Sequence, residues 1–61
     1  MRRSLLIKHV EKNGCRLLRE GSKHSLYVND INKKITTIPR HNEIKDFLAK
    51  KICKDLDIGY P

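Results

Sequence analysis

The sequence predicts a single small α+β domain, in which a three-stranded antiparallel sheet carries two helices on one face in the order α-β-β-β-α. Three observations predict it: apolar residues at helical spacing near both ends, β-branched and alternating segments between them, and turn-forming residues that separate those segments. A chain of 61 residues has room for one thin core, which excludes large enzymes built around a deep cofactor cleft.

The first helix is predicted over residues 5–12. Ser4 precedes it and is a good N-cap residue, and Asn13-Gly14 follows it as a typical left-handed helix stop. Between them, three apolar residues fall at helical spacing: Leu6, Ile7 and Val10.

Three strands are predicted next, over residues 15–19, 24–28 and 34–38. The first two are joined by a turn that contains Gly21, and the last is rich in β-branched residues until Pro39 ends it. Consecutive strands with short connections of this kind form an antiparallel meander, which leaves the face opposite the helices open.

The second helix is predicted to begin at Asn42 as its N-cap. Its core stripe is expected to be Ile44, Phe47, Leu48, Ile52 and Leu56, which recur at helical spacing. Lysines occupy its outer face, and residues 58–61 are expected to form a frayed tail of the single domain 1–61.

The balance of charges indicates a polyanionic partner. Fourteen Lys and Arg residues against seven Asp and Glu residues give a formal net charge of +7, and such clustered cations gain affinity by releasing counterions from phosphates. No apolar run approaches the length of about 20 residues that spans a bilayer, and Lys8 and His9 interrupt the apolar start. We therefore expect a cytoplasmic protein with a nucleic-acid partner and no membrane contact.

The cysteines and histidines predict neither a metal site nor a cofactor. Cys15 and Cys53 are far apart in the chain and are expected to be two buried thiols, with a disulfide as the less favoured alternative. Their spacing to the three histidines matches no common zinc pattern.

The most informative stretch is Arg19–Tyr27, together with Pro39-Arg40-His41. In it His24 enters a strand directly after a Gly-Ser turn, where an imidazole lies beside backbone that a phosphate can approach closely. Taken alone the pattern is weak, because a strand histidine is more often an ordinary surface residue than a catalyst.

Across residues 4–58 the chain resembles the HicA family of mRNA-interferase toxins. The resemblance is carried by Leu6-Ile7, Glu11-Lys12-Asn13-Gly14, Gly21-Ser22-Lys23-His24, Ile38-Pro39-Arg40-His41-Asn42, Glu43-Ile44-Lys45 and Leu48-Ala49-Lys50-Lys51-Ile52. It implies a fold like the double-stranded-RNA-binding domain and a metal-independent endoribonuclease that cleaves translated mRNA and arrests growth. It also implies neutralisation by a HicB-type antitoxin protein.

The resemblance assigns roles only at matching positions. His24 matches the catalytic histidine that ends the family's G-S-x-H motif, and Gly21 and Ser22 match the turn that presents it. His41 matches the histidine of P-R-H, whose alternative role is to help start the second helix. Many relatives have a second histidine where this chain has Lys23, which keeps a positive charge beside His24.

The expected chemistry is general acid–base cleavage of an RNA phosphodiester by His24, with Lys23, Arg19 or Arg40 stabilising the charge on phosphorus. Further cations are expected to hold the RNA backbone: Arg2, Arg3, Lys33, Lys34, Lys50, Lys51 and Lys54. The alternative function is a non-catalytic RNA-binding module. A DNA-binding domain is disfavoured because the second helix uses its apolar stripe on the core and shows mostly lysines outside.

Strand parity leaves open which sheet face His24 occupies. It shares a face with Leu26 and Val28, while Ser25 and Tyr27 share the other. Either Tyr27 contacts the core and Leu26 and Val28 lie on an open face that a partner covers, or His24 lies at the mouth of the strand beyond the core.

Overall fold

The computed structural model describes all residues 1–61. Its elements are α1 (Arg3–Lys12), β1 (Cys15–Glu20), β2 (His24–Asn29), β3 (Ile35–Pro39) and α2 (Asp46–Asp55). The strands form one antiparallel sheet in the order β1-β2-β3, and both helices pack on the same face of it. The predicted α+β class and α-β-β-β-α order are therefore confirmed. Neither helix has the length or apolar composition needed to cross a membrane.

One core lies between the sheet and the two helices. It is formed by Leu6 and Val10 of α1, Cys15, Tyr27 and Ile38 of the sheet, and Ile44, Ala49, Ile52, Cys53 and Leu56 from the α2 region. The two cysteines are both free and buried, which confirms the prediction of two buried thiols. Burial raises the pKa of both thiols, and the negative charge of Asp30 adds to the rise at Cys15.

The first helix begins earlier than predicted, and Ser4 is not its N-cap. Arg2 holds that position without a side-chain hydrogen bond, and the N–H of Arg3 donates instead to the carbonyl of Asn42 at 2.8 Å. A backbone from the other end of the chain thus satisfies a free helical N–H. The predicted stop is correct, since Gly14 has a φ of 85° directly after the C-cap Asn13.

The second helix begins later than predicted, at Asp46, and Asn42 is not its N-cap. An isolated bridge between Arg2 and Glu43 keeps the segment before the helix extended. Ile44 is therefore buried from a position outside the helix, and the apolar stripe cannot be counted from it. As a result Phe47, predicted as core, is 71% exposed, whereas Ala49 and Cys53 are buried.

Residues 58–61 adopt neither helix nor strand but make several contacts. The N–H of Ile58 donates to the carbonyl of Cys53 at 2.9 Å, and the ring N–H of His9 donates to the carbonyl of Gly59 at 2.6 Å. The Lys50 ammonium lies 5.5 Å from the centre of the Tyr60 ring. Fraying of this tail in solution stays a prediction.

A β-bulge in β1 changes which side chains share a face. Leu17 is paired with Tyr27, but the next pair is Arg19 with Leu26, so that Leu18 is an extra residue. Beyond the bulge Arg19 lies on the open face of the sheet, and Glu20, paired with Ser25, lies on the helix face.

The same register decides the face of His24. Tyr27 belongs to the core, so Leu26 and Val28 lie on the opposite, open face, and His24 shares it. The sheet face of His24 is therefore the one that the first alternative gives, and its place as the first residue of β2 also puts it at the mouth of the strand. Cover of this face by a partner stays a prediction. Val28 is nevertheless buried, and its cross-strand partners on that face are Arg16 and Ile35.

Candidate functional site

A tight hairpin turn presents His24 at one end of the sheet. Gly21 and His24 flank the two turn residues Ser22 and Lys23, and the N–H of Gly21 donates to the carbonyl of His24 at 2.8 Å. A Cβ atom on residue 21 would lie 3.1 Å from that carbonyl oxygen, closer than side chains normally approach a backbone atom. Glycine at this position therefore permits the close turn that begins β2 at His24.

The exposed imidazole of His24 separates two shallow hollows. The first, of about 320 Å³, is lined by Ser22, Lys23, His24, Arg40 and His41, and we call it the cationic hollow. The second, of about 240 Å³, is lined by Arg19, Gly21, His24, Leu26 and Thr37. His24 is thus reachable from two sides that differ in chemistry.

A chain of hydrogen bonds holds this end of the sheet together. The Nη2 of Arg40 donates to the carbonyl of Gly21 at 2.7 Å and pairs with Oε2 of Glu20 at 3.0 Å. The other carboxylate oxygen of Glu20 accepts from the hydroxyl of Ser25. Arg40, which directly follows β3, therefore supports the turn between β1 and β2.

The chain of bonds continues to the first helix. Nη2 of Arg3 donates to Oγ of Ser25 at 2.9 Å, and Nε of Arg3 donates to the carbonyl of Pro39 at 2.8 Å. We call these connected residues the anchor network: Arg3, Glu20, Gly21, Ser25, Pro39 and Arg40. It ties α1 and the ends of all three strands to the turn before His24.

Positive charge dominates the open side of this end of the sheet. Arg19 and Lys23 form no ion pair with any carboxylate of the chain, while Arg40 is paired with Glu20. Glu20 lies on the helix face because of the bulge, and its carboxylate lines neither hollow but pairs with Arg40. An anion approaching His24 therefore meets cations on both sides.

Most residues predicted for the site lie together at this hairpin end: Arg19, Gly21, Ser22, Lys23, His24, Arg40 and His41. Lys33 and Lys34 do not, because they lie in the connection from β2 to β3 at the opposite end of the sheet. Six strand residues separate the two ends, a distance of about 20 Å. His41 lies outside α2, which begins at Asp46, and so does not take part in starting that helix.

Of the seven further cations predicted to hold the RNA backbone, three have partners within the chain. Arg3 is half-buried in the anchor network, and Lys51 pairs with Asp55 at 2.9 Å. Lys50 lies against the ring of Tyr60. The other four cations of that set pair with no carboxylate: Arg2, Lys33, Lys34 and Lys54.

Two residues that support the site, Glu20 and Ser25, are not among those predicted for it. The sequence pattern places Ser25 only on one strand face and assigns no role to Glu20. A signal for Ser25 exists, since a serine at a core-facing strand position must find a hydrogen-bond partner. Leu26 and Thr37 carry no such signal, because their place beside His24 depends on strand pairing. The structure contains no cluster of three or more His, Cys, Asp or Glu side chains able to hold a metal ion.

Fold and site together define a small α+β domain that presents two exposed histidines, His24 and His41, among cations at a hairpin end. The family described as the HicA toxin of bacterial toxin-antitoxin matches residues 4–58, and the chain therefore belongs to the HicA toxin family. No curated protein and no solved structure matches it significantly. The chain is thus a member of a toxin family of toxin–antitoxin systems.

Proposed function

We propose that this protein is an endoribonuclease toxin of a type II toxin–antitoxin system, which cleaves mRNA in the cytoplasm and so arrests translation and growth. The observation that carries the proposal is the position of His24, an exposed imidazole in one hollow with Lys23, Arg40 and His41. Membership of the HicA toxin family supports the toxin assignment.

The residues of the cationic hollow suit cleavage by the RNA's own 2′-hydroxyl. A base removes the 2′-hydroxyl proton, the 2′-oxygen attacks phosphorus, and an acid protonates the departing 5′-oxygen, which leaves a 2′,3′-cyclic phosphate and a 5′-hydroxyl. Imidazole, with an ordinary pKa of about 6.5, can fill either role near neutral pH. His24 fills one of them, and His41 in the same hollow is the second titratable group available.

The cations of the site stabilise the charge that develops on phosphorus. Lys23 has no carboxylate partner, and Arg40 donates to Gly21 and Glu20 through Nη2, which leaves its other N–H groups available. The turn residue Ser22 lines the hollow that would hold this phosphate, and Gly21 contributes to binding by permitting the turn that presents His24. Three more cations, Arg19, Lys33 and Lys34, extend the RNA-binding surface along the sheet. The proposed reaction uses only side chains of this protein and the 2′-hydroxyl of the RNA, and neither a metal ion nor a cofactor enters it.

The test compares purified wild type with His24→Ala and with His9→Ala, a matched control whose histidine lies on α1 and bonds to the tail. On a short RNA, His24→Ala should cut at least about 100-fold more slowly, while His9→Ala should cut like wild type. A 2′-deoxy substitution at the cleaved position should abolish cutting. Far-UV circular dichroism establishes that each variant is folded.

Two results would contradict the proposal. A folded His24→Ala that cleaves like wild type removes the assigned catalyst. Wild type that binds RNA without cleaving it, and that leaves cellular mRNA intact when its expression is induced, identifies the protein as a non-catalytic RNA-binding module instead.

The partner that we propose is an acidic HicB-type antitoxin. The net charge of +7 favours association with an acidic protein, and the open sheet face that carries His24 also exposes Ile35 toward its other end. An antitoxin on this face would cover His24. Co-expression of an acidic HicB-like protein encoded beside this gene should restore growth, and failure of every such neighbour to do so would contradict the assignment.

A further inference from the structure

The second hollow beside His24 differs from the first in chemistry and has no part in the reaction described above. Its lining includes the half-buried Leu26, the exposed Thr37, which carries a hydroxyl, and Gly21, which has no side chain. Arg19 is the only Lys, Arg, Asp or Glu residue in its lining. The hollow is therefore largely apolar, with one planar cation and one hydroxyl.

We propose that this hollow, the base hollow, binds the nucleobase next to the phosphate at His24. The inference rests on the proposed function, because it assumes that an RNA phosphate lies in the cationic hollow. A nucleobase has apolar faces and polar edges, and proteins hold unstacked bases by apolar or guanidinium stacking together with hydrogen bonds to those edges. Leu26, Arg19 and Thr37 respectively offer these three kinds of contact.

The bulge in β1 is the reason that Arg19 is available for this role. It places Arg19 opposite Leu26 on the open face, and no carboxylate of the chain pairs with its guanidinium. Arg16 lies on the same face of the same strand, but its Nε donates to both carboxylate oxygens of Asp30 at 2.9 and 3.0 Å. Of these two arginines, only Arg19 is both next to His24 and without an acidic partner.

Because His24 lines both hollows, a phosphate bound in one hollow and a base bound in the other would be neighbours. A phosphate among Lys23, Arg40 and His41 and a base beside Leu26 would lie in two hollows whose only shared lining residue is His24. The base and the phosphate of one nucleotide can occupy two adjoining hollows in this way, because both are attached to the same ribose. The volume of about 240 Å³ accommodates one base, so the site should read one nucleotide rather than a run of them.

The test measures binding of uncleavable probes by amide chemical-shift titration of the wild-type protein. The parent probe is a 2′-deoxy dinucleoside monophosphate, whose single phosphate fixes its register, and two abasic analogues each lack one of its bases. Loss of the base that occupies the hollow should weaken binding about tenfold, as expected for one stacked base. Loss of the other base should change binding less than threefold.

The matched variants are Arg19→Ala and Arg16→Ala. Arg19→Ala should reduce the difference between the parent and the sensitive abasic analogue to less than threefold. Arg16→Ala should retain the tenfold difference, because Arg16 is held by Asp30 at the other end of the sheet. Parallel circular dichroism spectra establish that both variants are folded.

The other possible results of this test either overturn or support the base hollow. If wild type binds both abasic analogues as tightly as the parent, or if Arg16→Ala and Arg19→Ala lose discrimination equally, the base hollow is overturned. The proposed function then still stands wherever wild type cleaves RNA and His24→Ala does not. If wild type discriminates between the probes but never cleaves RNA, the base hollow is supported and the proposed enzymatic function is overturned.

Discussion

Replacement of Ser25 with alanine is expected to lower the free energy of unfolding by about 2 kcal/mol. The Ser25 hydroxyl is 1% exposed, accepts from Arg3 at 2.9 Å and donates to the carboxylate of Glu20. Hydrogen bonds to charged groups contribute about 1.5–3 kcal/mol each, and alanine removes two of them. Water recovers part of this loss, because the side chains of Arg3 and Glu20 keep some solvent access.

Urea unfolding followed by far-UV circular dichroism measures this change directly. For a domain of this size, a loss of about 2 kcal/mol corresponds to a fall in Tm of roughly 8–16 °C. Ser22→Ala is the matched control, because Ser22 is exposed in the adjacent turn and none of its side-chain atoms forms a hydrogen bond within the chain. Its unfolding free energy should stay within about 0.5 kcal/mol of wild type.

The reasoning is refuted if Ser25→Ala unfolds within about 0.5 kcal/mol of wild type, or if Ser22→Ala loses as much. Either result would mean that the anchor network does not stabilise the hairpin end. A double-mutant cycle with Arg3→Ala adds a second check, since two groups that bond to each other should show a coupling energy of at least about 0.5 kcal/mol.

Two further predictions concern α2. Phe47→Ser should change the unfolding free energy by less than about 1 kcal/mol because the ring is 71% exposed, whereas Ile52→Ala, in the core, should cost about 2–5 kcal/mol. Urea unfolding compares them, and similar losses would contradict the burial. The hydrogen bond from Lys51 holds the pKa of Asp55 below its ordinary value of 3.8. The Asp55 carboxylate therefore stabilises the fold above about pH 4, and this stabilisation is lost as the pH falls through the lowered pKa. The stability difference between wild type and Asp55→Asn should therefore shrink on acidification in urea titrations, and a constant difference would argue against the ion pair.

The strands were predictable because their signals are local. The β-branched run before Pro39 and the glycine at the first hairpin turn act within a few residues of the structure that they determine. The stop of α1 at Gly14 has the same origin, since its φ of 85° suits glycine. Such features are determined by residues within the segment itself, so the local sequence is enough to predict them.

The start of α2 was not predictable because it depends on a contact between distant parts of the chain. The bridge between Arg2 and Glu43 keeps the segment before the helix extended, and no propensity of that segment alone indicates it. The predicted burial of Phe47 failed for the same reason, because the apolar periodicity was counted from Ile44, which lies outside the helix. Tertiary pairing here overrode a valid local pattern.

Most of the candidate site was identified as separate residues, but their arrangement was not. The motif around His24 and the Pro39-Arg40-His41 segment lie next to each other because β2 and β3 pair with His24 opposite Pro39. Strand parity alone allowed two faces for His24, and only the burial of Tyr27 decides between them. The anchor network requires an arginine from α1 to reach Ser25 and Pro39, 22 and 36 residues further along the chain, which no short motif records.

The extra residue in β1 means that strand pairing, as well as residue identity, is part of this site. Regular pairing of β1 without the bulge would place Leu18 opposite Leu26 and exchange the faces of the two residues that follow it. Arg19 would then be directed toward the helices and Glu20 toward the surface beside His24, where its carboxylate would repel a phosphate. A change that straightens β1 at Leu18 would therefore weaken the proposed affinity for RNA without altering any residue of the site, whereas deletion of Leu18 would keep Arg19 opposite Leu26.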